Sequence, residues 1–193
     1  MRVMEIQQRI QNAKGLDFGT LFNQSIELFK KVWVQGFVTI LLNMVLAIPV
    51  IMIVYIPLIF TGILEAYISG YDPYPEQELS PLTMVVMFVI YVVMIVAMST
   101  IGFGLKAAFY RICKLRDLDQ MGREDYFYFF KKTYVSKTIK LGLAFACISI
   151  VATLLCFIPM VYAVVPLSFM VITYAFNPDM SISDIVKLGF HLG

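Results

Sequence analysis

The chain has 193 residues, 60% of them hydrophobic and only 15% charged, with a mean hydropathy of +0.83 and a formal net charge of +2. Soluble domains carry about a quarter charged residues, so this composition excludes a soluble globular domain and predicts an all-α, polytopic transmembrane helical bundle with interfacial amphipathic helices. The single histidine, His191, excludes a histidine-based metal site or catalytic dyad.

Residues 1 to 15 are polar and end at Gly15, and the first 36 residues hold no apolar core followed by a small-residue cleavage site. The first span is therefore expected to direct its own insertion. Over residues 17–33, Phe18, Phe22, Ile26, Phe29 and Trp33 recur at spacings of four, four, three and four, the pattern of one helical stripe. Lys30 and Lys31 lie in its last turn. This predicts an interfacial helix that precedes the membrane.

Residues 37–64 form the first span, 28 residues without a charge, with kinks expected at Pro49 and Pro57. From Glu65 to Pro81 the chain holds Gly70, Pro73, Pro75, four acids and no base, which reads as a loop. Residues 82–105, again uncharged, form the second span and lead into Lys106, Arg111, Lys114 and Arg116, bases that snorkel from a helix end. Tyr126, Phe127, Tyr128, Phe129, Phe130 and Tyr134 then crowd around Lys131 and Lys132, predicting a second interfacial helix over 123–136.

The 36 residues Leu141 to Phe176 carry no charge. As one helix they would be roughly 54 Å long, well beyond the roughly 30 Å hydrocarbon core. Two spans are expected, 141–157 and 160–176, with the reversal at Phe157-Ile158-Pro159-Met160, because proline disfavours helix in the residue before it. Pro166 would kink the second. Ser181 with Asp184 three residues on is a capping box, opening a third amphipathic helix over 181–192. The three cysteines, Cys113, Cys147 and Cys156, sit at or inside apolar runs and read as packing residues.

With four spans and a cytoplasmic N-terminus, all 15 bases fall inside and the four acids of the first loop outside, as the positive-inside rule requires. The expected location is the bacterial inner membrane. Leu28-Phe29-Lys30-Lys31-Val32-Trp33 and Phe129-Phe130-Lys131-Lys132-Thr133-Tyr134 share a core and a position before a span, which suggests an internal repeat. On that repeat the third amphipathic helix awaits its own helical pair, so the membrane domain is expected to continue past Gly193.

Phe29-Lys30-Lys31, Phe157-Ile158-Pro159, Asn177-Pro178 and the segment Ser181 to Gly189 together resemble the uncharacterised bacterial inner-membrane proteins related to the membrane domain of some glycerophosphodiester phosphodiesterases. That family commonly has Ile-Pro-Gly where this chain has Ile158-Pro159-Met160. The resemblance implies a six-span bundle with interfacial helices and no catalytic residues in the membrane part.

Enzyme signatures are absent, and no catalytic, cofactor-binding or metal-ligating residue is assigned. Met84, Met87, Met94 and Met98 share a helical face, which reads as packing ahead of soft-metal binding. Asn43 reads as an interhelical hydrogen-bonding residue, and the small-residue pairs Gly104/Ala108 and Gly142/Ala146 as helix-approach sites. Lys30, Lys31, Lys131 and Lys132, each beside aromatics, are the candidate contacts to anionic lipid headgroups. The expected partner is the bilayer, with no nucleic acid and with homo-oligomerisation left open. The leading functional expectation is a non-enzymatic membrane protein acting in membrane or envelope organisation. The alternatives are a transporter or permease-like subunit for a neutral or lipidic solute, and the membrane domain of a lipid-acting enzyme.

Overall fold

The computed structural model describes residues 17–68, 81–120, 122, 124–155 and 157–193. The polar stretch before Asp17 and most of the acidic first loop lie outside the described residues. Among the described residues the fold is all-α, with five helices: α1 (Phe18–Ile68), α2 (Pro81–Asp117), α3 (Val135–Leu154), α4 (Phe157–Phe176) and α5 (Ile182–Leu192), plus a 3₁₀ turn at Tyr128–Phe130. Three helical stretches are long and apolar enough to cross a membrane: Phe18–Pro57, Met84–Asp117 and Val135–Leu154. The protein is an integral membrane protein with three candidate spans among the described residues. A shorter apolar stretch, Val161–Phe176, belongs to α4.

The first amphipathic segment and the first span, expected as two elements, are one helix of 51 residues, roughly 77 Å long. Asp17 Oδ2 accepts from Thr20 N at 3.1 Å and satisfies a free amide of the first turn. Between Trp33 and Phe37 the poorest helix former is Gly36, whose interior cost is about 1 kcal/mol. That is too little to break a helix that continues without proline for many residues on both sides, and Pro49 and Pro57 lie inside it as well.

Helices α1 and α2 run antiparallel, with Gly36 facing Phe109 and Leu28 lining a hollow with Lys114 and Asp117. Helix α2 ends in a Schellman closure: Gln120 N donates to Leu115 O and Asp119 N to Arg116 O, with Asp119 at φ 50° in the position glycine usually takes. Helix α3 returns against α2 where Gly142 meets the Thr100 backbone. A Cβ at Gly142 would lie 2.9 Å from Thr100 Cα, so only glycine permits this approach.

Helices α3 and α4 form an antiparallel hairpin, joined at one end by Thr138 and Tyr174 and at the other by Ala152 and Ala163. The break comes at Leu155, slightly earlier than Phe157-Ile158-Pro159-Met160, and Pro159 lies in the first turn of α4. First-turn amides have no intrahelical acceptor, so proline is accommodated there without losing a bond.

At α5, Ser181 caps the helix by accepting from Asp184 N at 3.2 Å, one of the two bonds of the capping box read from the sequence. This helix turns back along α4. Gly189 sits against Pro166 O and Met170, and Gly193 against Pro166 N. Pro166 is about ten residues, or roughly 15 Å, from the end of α4, so α5 extends along α4 towards its middle instead of lying across the end of the bundle.

Candidate functional site

The helix expected over 123–136 does not form among the described residues. Asp125 Oδ1 accepts from Phe127 N at 3.2 Å, a local side-chain bond that competes with helix. One 3₁₀ turn follows, and α3 begins only at Val135. The aromatic residues are therefore not a stripe laid on the membrane. Phe129 is fully buried, its ring centroid 4.6 Å from that of Tyr174. Phe130 lies over Gly104, where a Cβ would come within 2.6 Å of its Cζ. Thr138 Oγ1 donates to the Phe129 carbonyl at 2.9 Å and, having donated its one hydrogen, accepts from Tyr174 Oη at 2.9 Å. Loop, α3 and α4 are thereby fastened at one point.

This end of the bundle collects charge. Arg111 and Lys131 lie 3.9 and 5.2 Å from the centre of the Tyr128 ring, and Lys114 lies 4.8 Å from that of Phe176. Lys137 donates to the carbonyls of Pro178 and Met180, fixing the α4–α5 turn to α3. Of the four candidate lysines, Lys30 and Lys31 are exposed on α1, and Lys131 and Lys132 are exposed after the 3₁₀ turn. Lys131 pairs with Asp125 at 2.5 Å, which partly neutralises it.

A polar knot at this end was not legible in the sequence. Gln35, only 7% exposed, donates from Nε2 to Glu124 Oε1 at 2.8 Å. Arg116 pairs with the same oxygen at 3.1 Å, and the Tyr126 hydroxyl donates to Glu124 Oε2 at 2.9 Å. The Gln35 amide, followed by the Tyr126 hydroxyl and Arg116, holds the Glu124 carboxyl below its ordinary range against the opposing effect of burial. Burial and the neighbouring Glu124 push Tyr126 up to about 12. Gln35 Oε1 and Arg116 Nε are buried without a hydrogen-bond partner among the described residues.

A groove of about 520 Å³ lies between the α1/α2 pair and the α3–α4 hairpin. Gly36, Thr39 and Lys106 lie towards its basic end, and Ser149, Thr153 and Ala163 on the hairpin wall. Lys106 and Ser149 are 43 positions apart, so no local pattern marks the groove. A faint signal was the pair Ser149/Thr153, one helical turn apart inside an uncharged run. Of the methionines, Met84 is exposed and Met87, Met94 and Met98 are half-buried along α2; Asn43 is half-buried on α1. No family model, no curated protein and no solved structure matches this chain.

Proposed function

We propose that the protein is a non-enzymatic component of the bacterial inner membrane, with a cytoplasmic N-terminus, that gathers anionic lipid headgroups at its basic end and so serves membrane or envelope organisation. The observation that carries this reading is the placement of the bases. Lys30 and Lys31 on α1, Lys106 to Arg116 on α2, Lys131 and Lys132, and Lys137 and Lys140 on α3 all belong to the end where the helical hairpin also returns. Positive charge concentrated at one membrane face marks the cytoplasmic side, and each base near an anionic surface contributes about 1 kcal/mol. Of the four candidate lysines, Lys30, Lys31 and Lys132 contribute more than Lys131, which is paired with Asp125. The fourth crossing through α4 and membership of the family related to phosphodiesterase membrane domains belong to the same proposal.

Trp33, the only tryptophan, is 57% exposed and lies one turn from Lys30. In phosphatidylcholine vesicles doped with brominated lipid, its fluorescence is expected to be quenched more by phosphatidylglycerol than by phosphatidylcholine at equal mole fraction. Lys30→Gln with Lys31→Gln should remove the excess. Equal quenching by both lipids in the unmodified protein would overturn the reading.

A second reading, a carrier subunit for a neutral or lipidic solute, is favoured by the groove between α1/α2 and the hairpin. Lys106 is its one charged wall residue among the described residues, which suits a lipidic solute better than an ion.

A further inference from the structure

We infer that the groove between α1/α2 and the α3–α4 hairpin holds one acyl chain of an anionic phospholipid, with the Lys106 ammonium meeting its phosphate. The hollow, about 520 Å³, lies within the range of small-molecule sites. Its walls are mainly hydrocarbon, from Ile40, Phe145, Ala152, Val164 and Leu167 among others.

The hydroxyls in the walls do not turn it into a water channel. Thr39 donates to Gln35 O at 2.7 Å, Thr153 to Ser149 O at 2.8 Å and Ser168 to Val164 O at 2.7 Å. The hydrogens of these three are already bonded within their own helices, so Thr39, Thr153 and Ser168 meet hydrocarbon without leaving a donor unpaired, and Ser149 and Tyr110 are the other wall hydroxyls. A column of water against walls otherwise apolar would gain few hydrogen bonds, whereas a chain of methylenes gains contact along the whole length.

Polarity is confined to one end. Lys106 is the first base after the uncharged part of α2, at the level where charge enters the helix. It is exposed, and no carboxylate among the described residues pairs with it. Ala152, Thr153 and Ala163 lie near the α3–α4 turn, the opposite end of the hairpin from Thr138 and Tyr174. Charge at the headgroup level with hydrocarbon walls below it matches the two halves of an anionic phospholipid. Helix α1 packs principally on α2, leaving the side towards the hairpin as the entry from the bilayer. The site rests on the membrane placement of the helices and does not depend on Lys30, Lys31, Lys131 or Lys132.

The test uses the full chain in detergent micelles with phosphatidylglycerol bearing a diazirine on its acyl chain, and maps the photolabelled peptides by mass spectrometry. Label is expected on residues 145–153 and 163–171, with unlabelled phosphatidylglycerol competing better than phosphatidylcholine. Lys106→Gln should lower this labelling about fivefold and abolish the headgroup preference. Ser168→Phe, which fills the groove from an exposed position, should block labelling of the same peptides while α-helical content stays unchanged. Replacing the four other lysines with glutamine should leave the pattern intact, and so separates this site from the basic surface that Trp33 reports. Label spread evenly over all lipid-facing helices, or a pattern indifferent to both Lys106→Gln and Ser168→Phe, would overturn the inference.

Discussion

Leu28-Phe29-Lys30-Lys31-Val32-Trp33 and Phe129-Phe130-Lys131-Lys132-Thr133-Tyr134 have nearly the same chemistry and opposite structures. The first is a stretch of a continuous helix in which Phe29 is 67% exposed. The second is a 3₁₀ turn and its continuation, in which Phe129 is completely buried. In both, the lysines face outward. What differs is the environment of the aromatic residues. The first segment lies in a helix started by Asp17 and packs on α2 with one side only. The second is held off helix by Asp125 and inserted between α2 and the hairpin, where Gly104 leaves room for Phe130 and Tyr174 supplies a ring for Phe129. Surface lysines are therefore a shared feature of the two segments, while their aromatic residues divide into lipid- or solvent-facing groups and core.

The largest effect that separates the two segments is expected from truncating the matched aromatics. Phe129→Ala should destabilise the bundle by about 3–5 kcal/mol, the range for deleting a buried aromatic ring. Phe29→Ala should change stability by less than about 0.5 kcal/mol, as for an exposed site. Unfolding in detergent micelles measures both, and similar losses would erase the distinction.

A smaller contrast lies in the glycines facing each region. Gly104→Ala would bring a Cβ within 2.6 Å of Phe130 Cζ and should cost about 1–3 kcal/mol through overpacking. Gly36→Ala would meet Phe109 at 3.5 Å, an ordinary contact, and should be neutral or stabilising by up to about 1 kcal/mol through better helix propensity. The difference in thermal midpoint between the two variants reads this directly. A tolerated Gly104→Ala would show that Phe130 is not wedged.

The weakest expected effect is at the bond that joins the regions. Gln35 binds Glu124, whose carboxyl is held below the ordinary carboxylate value. A carboxyl lowered on folding contributes stability above its unfolded value of about 4.3 and loses it as the pH falls through the folded value. Because Glu124 is exposed, the contribution should stay below about 1 kcal/mol. The thermal midpoint of the unmodified protein is expected to fall more steeply on acidification below pH ~5 than that of Gln35→Leu. Parallel pH profiles would remove Glu124 from the account.

Much of the molecule follows from local pattern and length. The uncharged runs define helices long enough to cross a membrane, because a helix pairs its backbone groups within the run itself and needs no neighbouring strand in hydrocarbon. Ser181 and Asp184 are three residues apart, so the cap that opens α5 depends on nothing distant. The excess length of the Leu141–Phe176 run requires a reversal, and its place is shifted slightly because proline is as acceptable in a first turn as in a break. The fate of Tyr126 to Tyr134 was decided elsewhere: their pattern suits an interfacial helix, but burying Phe129 against Tyr174 and seating Phe130 over Gly104 favoured the turn. The same holds for the Gln35–Glu124 bond, which spans 89 positions, and for the groove between Lys106 and the hairpin. The sequence by itself determined an integral membrane protein of apolar helices with its charge gathered beside particular spans, since both depend on residues near one another in the chain. Only the tertiary structure decided which aromatics form core, how α5 packs back along α4 and where a lipid-sized hollow remains, because each depends on surfaces brought together from distant parts of the chain.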